Sequence, residues 1–416
     1  MEKRLKNKST AMSRSGFIVL AAGVALIAFG ESAIAAPMQR ATPSFSDYCR
    51  HAKNGAATAP CLDAANLYEN GKVGIAFTTM KKAIAAAPND GNLRMLSGIM
   101  RLRLGEAVPA ERELRLARKN GASDEAVLPP LFRAMVERHQ ENQLLSEFPE
   151  PPKNATDDIA AHILHGRALA FRSLNRLDEA AAAMDRSLTL RRGPVALCDR
   201  ADIAIRQGNP ALAGKLIDEA LQLAPGNGPA LIAKLHFLER SGDAAKTLAF
   251  SDHILRMYPY NIESHATRVN VFLKLKQNGR AQADLDAMKA RSPRAPLVQY
   301  YRAVLMSRAG DRKDAYQIIE ALPPEFVKRY PEFALQMAEI ALDNGHGEMG
   351  SNILGNALAA SPDMVDVRLR LASLRMTQNS PMSANLLLNP VKDSPDPRVQ
   401  KLLTEVRARI AKDRAF

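Results

Sequence analysis

Residues 194–225 read PVALCDRADIAIRQGNPALAGKLIDEALQLAP, and residues 226–259 continue GNGPALIAKLHFLERSGDAAKTLAFSDHILRMYP. The second segment is laid out like the first. Pro225, Pro259 and Pro293 stand 34 residues apart, as do Gly208 and Gly242, and as do Ala213, Thr247 and Ala281. A fixed period of this size implies stacked copies of one helix–turn–helix unit, each contacting mainly its neighbours.

Working outward, the small residue that opens each second helix recurs as Ala76, Ala110, Leu144, Ala180, Ala213, Thr247, Ala281, Ala315, Gly350 and Ala384. Four residues on stands a mostly large residue: Met80, Leu114, Phe148, Met184, Ile217, Ser251, Leu285, Ile319, Leu354 and Leu388. Three further on come Ala83, Ala117, Pro151, Ser187, Ala220, Ile254, Met288, Leu322, Ala357 and Val391. Spacings of four and three put all three positions on one helical face. The small residue lets a partner helix approach, and the large one fills the gap between units. Gly105, Asn175, Gly208, Gly242, Gly310 and Gly345 sit five residues before the small position, where a left-handed residue ends the first helix. Proline at 88, 225, 259, 293 and 362 stops the second helix.

The runs Ala213-x3-Ile217-x2-Ala220-x4-Pro225 and Ala76-x3-Met80-x2-Ala83-x4-Pro88 resemble the second-helix signature of the tetratricopeptide repeat (TPR) family. The first-helix signature is weaker, with no Trp and with Gly98 as the sole glycine at its position. The resemblance spans about residues 57–391, roughly ten units. It implies an all-α, right-handed superhelical solenoid of TPR helix–turn–helix repeats. Two places depart from the pattern. Pro149-Glu150-Pro151-Pro152 cuts the third unit short and marks a joint between N-terminal TPR-like repeats (57–152) and a main array (153–393). After Pro397, residues 398–413 read as one amphipathic helix (Val399, Leu402, Leu403, Val406, Ile410), expected to cap the array within a C-terminal segment 394–416.

The N-terminus has a basic start, an apolar run from Phe17 to Phe29, and small residues at Ala33 and Ala35. These are the three parts of a secretory signal, so residues 1–35 are expected to be removed after Ala35. The apolar run of 13 residues is short for a membrane crossing, so no stable span is expected after cleavage. A signal left uncleaved would instead anchor the chain in an inner membrane. Residues 36–56 read as a flexible leader. In the oxidising compartment reached by export, Cys49 and Cys61 are a candidate disulfide across a Gly/Ala/Thr/Pro loop, while Cys198 stands alone within a helix.

The chain is alanine- and leucine-rich, with 5% aromatic residues and a formal charge of +13. Residues 1–35 carry five Lys/Arg and two Glu, so a chain starting at Ala36 keeps 13 − 3 = +10. That balance favours acidic partners in general, such as anionic polysaccharide, lipid headgroups, acidic proteins or nucleic acid, and equally suits a surface that merely keeps the chain in solution. Of these, acidic polysaccharide is carried forward and nucleic acid is not expected. Phosphate-binding glycine loops and nucleophile elbows do not occur. His162 and His165, with Asp158, lack convergent ligands, so no metal, cofactor or catalytic role is expected. What remains is recognition along the inner face formed by the first helices. The frame places His165, Arg172, Asp202, His236, Glu239, Asn270 and Tyr300 on or near that face, positions that equally suit ordinary helix surface. In TPR proteins that clamp a peptide carboxylate, recurring Lys, Asn and Arg do the work. Only Asn270 matches, which disfavours a receptor of that kind.

Locally, Ala110-Glu111-Arg112-Glu113-Leu114-Arg115-Leu116-Ala117, then Asn120-Gly121 and Val127-Leu128-Pro129-Pro130-Leu131, resembles exported TPR proteins of PEP-CTERM and exopolysaccharide systems. That resemblance covers residues 57–150 only. It implies a periplasmic or secreted scaffold for protein partners of the cell envelope. Direct binding of acidic polysaccharide in a basic groove, or an inner-membrane-anchored assembly factor, are the alternatives.

Overall fold

The computed structural model describes residues 44–52 and 54–414. The expected signal segment, its cleavage point at Ala35 and the first part of the leader lie outside the described residues. All regular elements among the described residues are helices. A short α1 (Phe45–Arg50) precedes ten helix pairs. The first five pairs are α2–α3 (Gly55–Glu69, Val73–Ala86), α4–α5 (Gly91–Arg103, Ala107–Lys119), α6–α7 (Asp124–Glu137, Glu141–Glu147), α8–α9 (Asp157–Ser173, Leu177–Leu190) and α10–α11 (Pro194–Arg206, Pro210–Leu223). Then come α12–α13 (Gly228–Ser241, Ala244–Met257), α14–α15 (Ile262–Lys274, Asn278–Arg291) and α16–α17 (Pro296–Ala309, Arg312–Glu320). After a short α18 (Glu325–Arg329) follow α19–α20 (Ala334–Asp343, Gly347–Ala360), α21–α22 (Val365–Thr377, Pro381–Leu388) and a single α23 (Pro397–Arg414). The described residues divide into two compact units, 44–259 and 260–414.

The small-residue position behaves as its chemistry demands. Ala76, Ala110, Leu144, Ala180, Ala213, Ala281, Ala315 and Ala384 are wholly buried, and Thr247 is nearly so. The large position four residues on is buried in all ten pairs, from Met80 to Leu388. Helices of one pair meet closely there: a Cβ added at Gly98 would stand 2.6 Å from Leu114 Cγ. The third position fails in three pairs, at Pro151, Leu322 and Val391, each only half-buried. In those pairs the second helix is short: 7 residues in α7, 9 in α17 and 8 in α22. Proline explains each stop, through Pro149, Pro323-Pro324 and Pro390. Only the first of the three was expected.

Between the two helices of every pair, the residue five before the small position has positive φ. Gly71, Gly105, Gly208, Gly242, Gly310 and Gly345 occupy it, and so do His139, Asn175, Lys276 and Asn379. In most pairs the next N–H then reaches back into the first helix, as in Asn209 N–H to Ala204 O at 2.8 Å and Gln277 N–H to Phe272 O at 2.8 Å. This closes the helix end with the carbonyl satisfied. A side chain in this conformation costs roughly 1 kcal/mol. His139→Gly and Lys276→Gly are therefore each expected to raise stability by about 0.5–1 kcal/mol, and Gly208→Ala to lower it by about 1 kcal/mol. Urea unfolding of the three variants checks the signs.

At the ends, the helices are closed in different ways. Residues 45–50 form α1 inside the stretch expected to be a flexible leader. Ser44 caps it, its hydroxyl accepting from Asp47 N–H while the Asp47 carboxylate accepts from Ser44 N–H. Phe45 stacks on Tyr68 with centroids 4.3 Å apart. Cys49 and Cys61 are joined by a disulfide, both wholly buried, with Cα atoms 5.4 Å apart. The stretch between them, expected as a loop, is partly helical, because α2 starts at Gly55 under an Asn54 cap. At the other end α23 buries Val399, Leu403 and Val406 against Ala372, Ala384 and Leu388. It closes the last pair as the amphipathic pattern implies.

Candidate functional site

All seven residues assigned to the inner face lie on first helices: His165 and Arg172 on α8, Asp202 on α10, His236 and Glu239 on α12, Asn270 on α14, and Tyr300 on α16. Three of them converge through a residue that the sequence reading did not single out, Asp199. Its carboxylate meets His165 Nε2 at 2.8 Å and Arg172 Nη1 at 3.1 Å. The same Arg172 nitrogen lies 3.3 Å from Asp202 Oδ2, which also meets Arg206 Nε at 3.2 Å. Side-chain exposure is low throughout, 10% for Asp199 and 16% for Arg172.

Local sequence dictates the cluster. Asp199, Asp202 and Arg206 follow at spacings of three and four along α10, so they share one face. His165 stands 34 residues before Asp199, one period away, so the bond joins consecutive units. Periodic spacing of complementary charges on first helices was the signal that could have revealed it. Burial pushes the Asp199 carboxyl upward, but the His165 hydrogen bond and the Arg172 charge outweigh it and hold the group below its usual range. Burial likewise opposes the Arg172 charge, yet Asp202 and Asp199 keep the guanidinium firmly protonated. Chemically this is a self-neutralised network that ties α8 to α10 and leaves a narrow polar strip at the surface.

Elsewhere the assigned residues stay apart from this cluster. Tyr300 is 5% exposed and stacks on Phe333 at 4.3 Å, within a group that includes Tyr301, Phe326 and Tyr330. Burial raises its hydroxyl pKa. Glu239 and Asn270 are half-buried. His236 is held down to about 4, first by burial and then by Arg240. His162, beside the cluster, is also held down to about 4 by burial, Arg191 and His165. Its neutral Nε2 accepts from Arg191 Nη1 at 3.1 Å. No group of three or more His, Cys, Asp or Glu side chains suited to a metal ion occurs among the described residues. No described helix is long and apolar enough to cross a membrane.

These two histidines set the acid response. Unfolded, an imidazole titrates near pH 6.5, whereas in the folded chain both stay neutral down to about 4. Between those values the unfolded chain binds more protons, so stability falls as pH falls. The Asp199 network is present above the ordinary carboxylate range and is lost only at lower pH, because its folded pKa is depressed. Thermal melts from pH 7 to 4.5 are expected to show a decline that His162→Gln with His236→Gln flattens. An unchanged slope in that double variant would remove the assignment.

The comparisons with known proteins agree with this architecture in one stretch. Residues 165–228, which carry the whole network, match the model of the tetratricopeptide repeat family. None of the curated proteins compared with the chain matches it. Among solved structures, the chain is similar to the APC/C hetero-tetramer Cut9–Hcn1, at 10% identity, 85% of this chain, 96% of that one and a TM-score of 0.43. Yeast Tom70 is similar at 15% identity, with 85% and 88% covered and a TM-score of 0.41. A tetratricopeptide repeat protein from Parabacteroides merdae is similar at 15% identity, with 64% and 91% covered and a TM-score of 0.36. Ten helix pairs in one residue frame, with the family match at residues 165–228, give the described residues the all-helical architecture of stacked tetratricopeptide repeats.

Proposed function

We propose that this protein is an exported scaffold that gathers protein partners in cell-envelope or exopolysaccharide assembly. A TPR array is an interaction scaffold in general, and proteins of this kind generally do not act as catalysts. The observation that carries export is the Cys49–Cys61 disulfide, wholly buried and closing a loop of sequence separation 12. Such bonds persist in oxidising compartments and are rare in the cytosol. The signal-like N-terminal sequence and the local resemblance around Ala110–Ala117 point the same way. Intact-mass analysis of protein recovered from its native cells tests this reading. A chain beginning at Ala36 with Cys49 and Cys61 oxidised is expected. A chain retaining Met1, with three free thiols in the cytosolic fraction, would overturn export. Pull-down from an envelope fraction tests the scaffold itself, and recovery of cytosolic proteins alone would count against it.

The charge left after removal of residues 1–35, 13 − 3 = +10, favours a second reading, capture of acidic polysaccharide by the same array. It predicts binding to polygalacturonate that weakens steeply with salt. Absence of binding at low salt would dismiss it.

A further inference from the structure

The outward face of α5 is built unlike a solvated helix surface. Its inward side buries Ala110, Glu111, Glu113, Leu114 and Ala117. Its outward side carries Val108, Arg112, Leu116 and Lys119, spaced four, four and three residues apart, so they form one stripe about 16 Å long. Val108 is 62% exposed and Leu116 36%. Two surface depressions meet at Leu116 and Lys119. One, of about 480 Å³, is lined by Val108, Pro109, Arg112, Arg115 and Arg138, and by Glu111, which those last two arginines hold in ion pairs. The other, of about 620 Å³, runs on to Pro88 and Arg94.

Charge in this region is one-sided. The acidic groups beneath are buried and already neutralised: Glu111 by Arg115 and Arg138, and Glu113 by Arg94. Arg115 is further held by Glu147 at 2.7 Å. Arg112 and Lys119 are exposed and take part in no ion pair among the described residues. The stripe therefore alternates apolar and cationic groups, with its own carboxylates withdrawn.

We propose that this stripe docks an acidic amphipathic helix of a protein partner, its apolar residues on Val108 and Leu116 and its carboxylates on Arg112 and Lys119. This rests on the scaffold reading and names a partner class for it. The surface lies on a second helix, apart from the first-helix residues of the candidate site. A glycan would use the two cations but has nothing to place on two exposed aliphatic side chains, whereas a helix with apolar and acidic faces uses both.

The test uses the full chain and a labelled helical peptide of about 18 residues, with Leu on one face and Glu on the flanks. Its Lys counterpart and polygalacturonate serve as comparison probes. Anisotropy at low salt is expected to show binding of the Glu peptide, weakened roughly tenfold by Arg112→Glu with Lys119→Glu and by Val108→Ser with Leu116→Ser. The Lys peptide is expected to bind only the charge-reversed variant. All four side chains are exposed, and unchanged thermal melts confirm folding. Glu-peptide binding that survives both pairs of changes, or equal binding of the two peptides, would overturn the proposal. So would polygalacturonate binding that requires the cations while the Glu peptide fails to bind. Envelope partners that are still captured by both variants would remove the α5 site and leave the scaffold reading intact.

Discussion

Asp199→Ala is expected to cost about 3–5 kcal/mol, enough to unfold much of the unit at physiological temperature. The carboxylate is the shared acceptor of His165 and Arg172, at 2.8 and 3.1 Å. Removing it leaves Arg172, 16% exposed, facing only Asp202 at 3.3 Å. The penalty is the cost of a buried cation stripped of a partner, not the worth of one hydrogen bond. The break also falls between α8 and α10, where consecutive units are joined, so cooperativity along the array should suffer with it. A double-mutant cycle isolates the term. Asp199→Asn and Arg172→Gln should couple by more than about 1 kcal/mol in urea unfolding. Additivity within about 0.5 kcal/mol would show that the pair contributes only as separate surface groups.

That network also shows what was legible beforehand and what was not. Ala213, Thr247 and Ala281 announce the fold because a small side chain lets a helix pack closely against it, and such a residue recurs in every pair but the third, where Leu144 is buried instead. Gly208 and Gly242 announce the turns for a similar reason. His139 and Lys276 adopt the same left-handed conformation without advertising it, because the frame imposes it and residue identity does not. Asp199 stands one period after His165, so the spacing permits the pair, but side-chain reach across the two helices decides whether it forms. Tyr300 illustrates the reverse. Its place in the frame matches that of His165, but Pro323-Pro324 ends α17 early, and the segment that follows brings Phe326 and Phe333 onto it. A local proline thus turned a position read as inner surface into core.

Removal of α23, by ending the chain after Asp396, is expected to melt the α21–α22 pair and bring the protein out of solution. Val399, Leu403 and Val406 are 0%, 2% and 0% exposed, and each buries a side chain worth about 1.5–3 kcal/mol. Their sum, about 4.5–9 kcal/mol, is an upper value because the unfolded helix already hides some of that surface. The loss concentrates on the pair least able to bear it. Its second helix has 8 residues, against 14 in α20, and Ala372, Ala384 and Leu388 would face water. An interior pair would keep a neighbour on each side, but the last pair has only the one before it once α23 is gone. Hydrogen exchange should therefore accelerate across residues 365–391 far more than across 194–223, and size exclusion should show association. The variant Val399→Ser with Leu403→Ser and Val406→Ser keeps the full chain length and should reproduce the exchange pattern. Protection of 365–391 that is unchanged in both would mean that α23 merely lies on a pair stable without it.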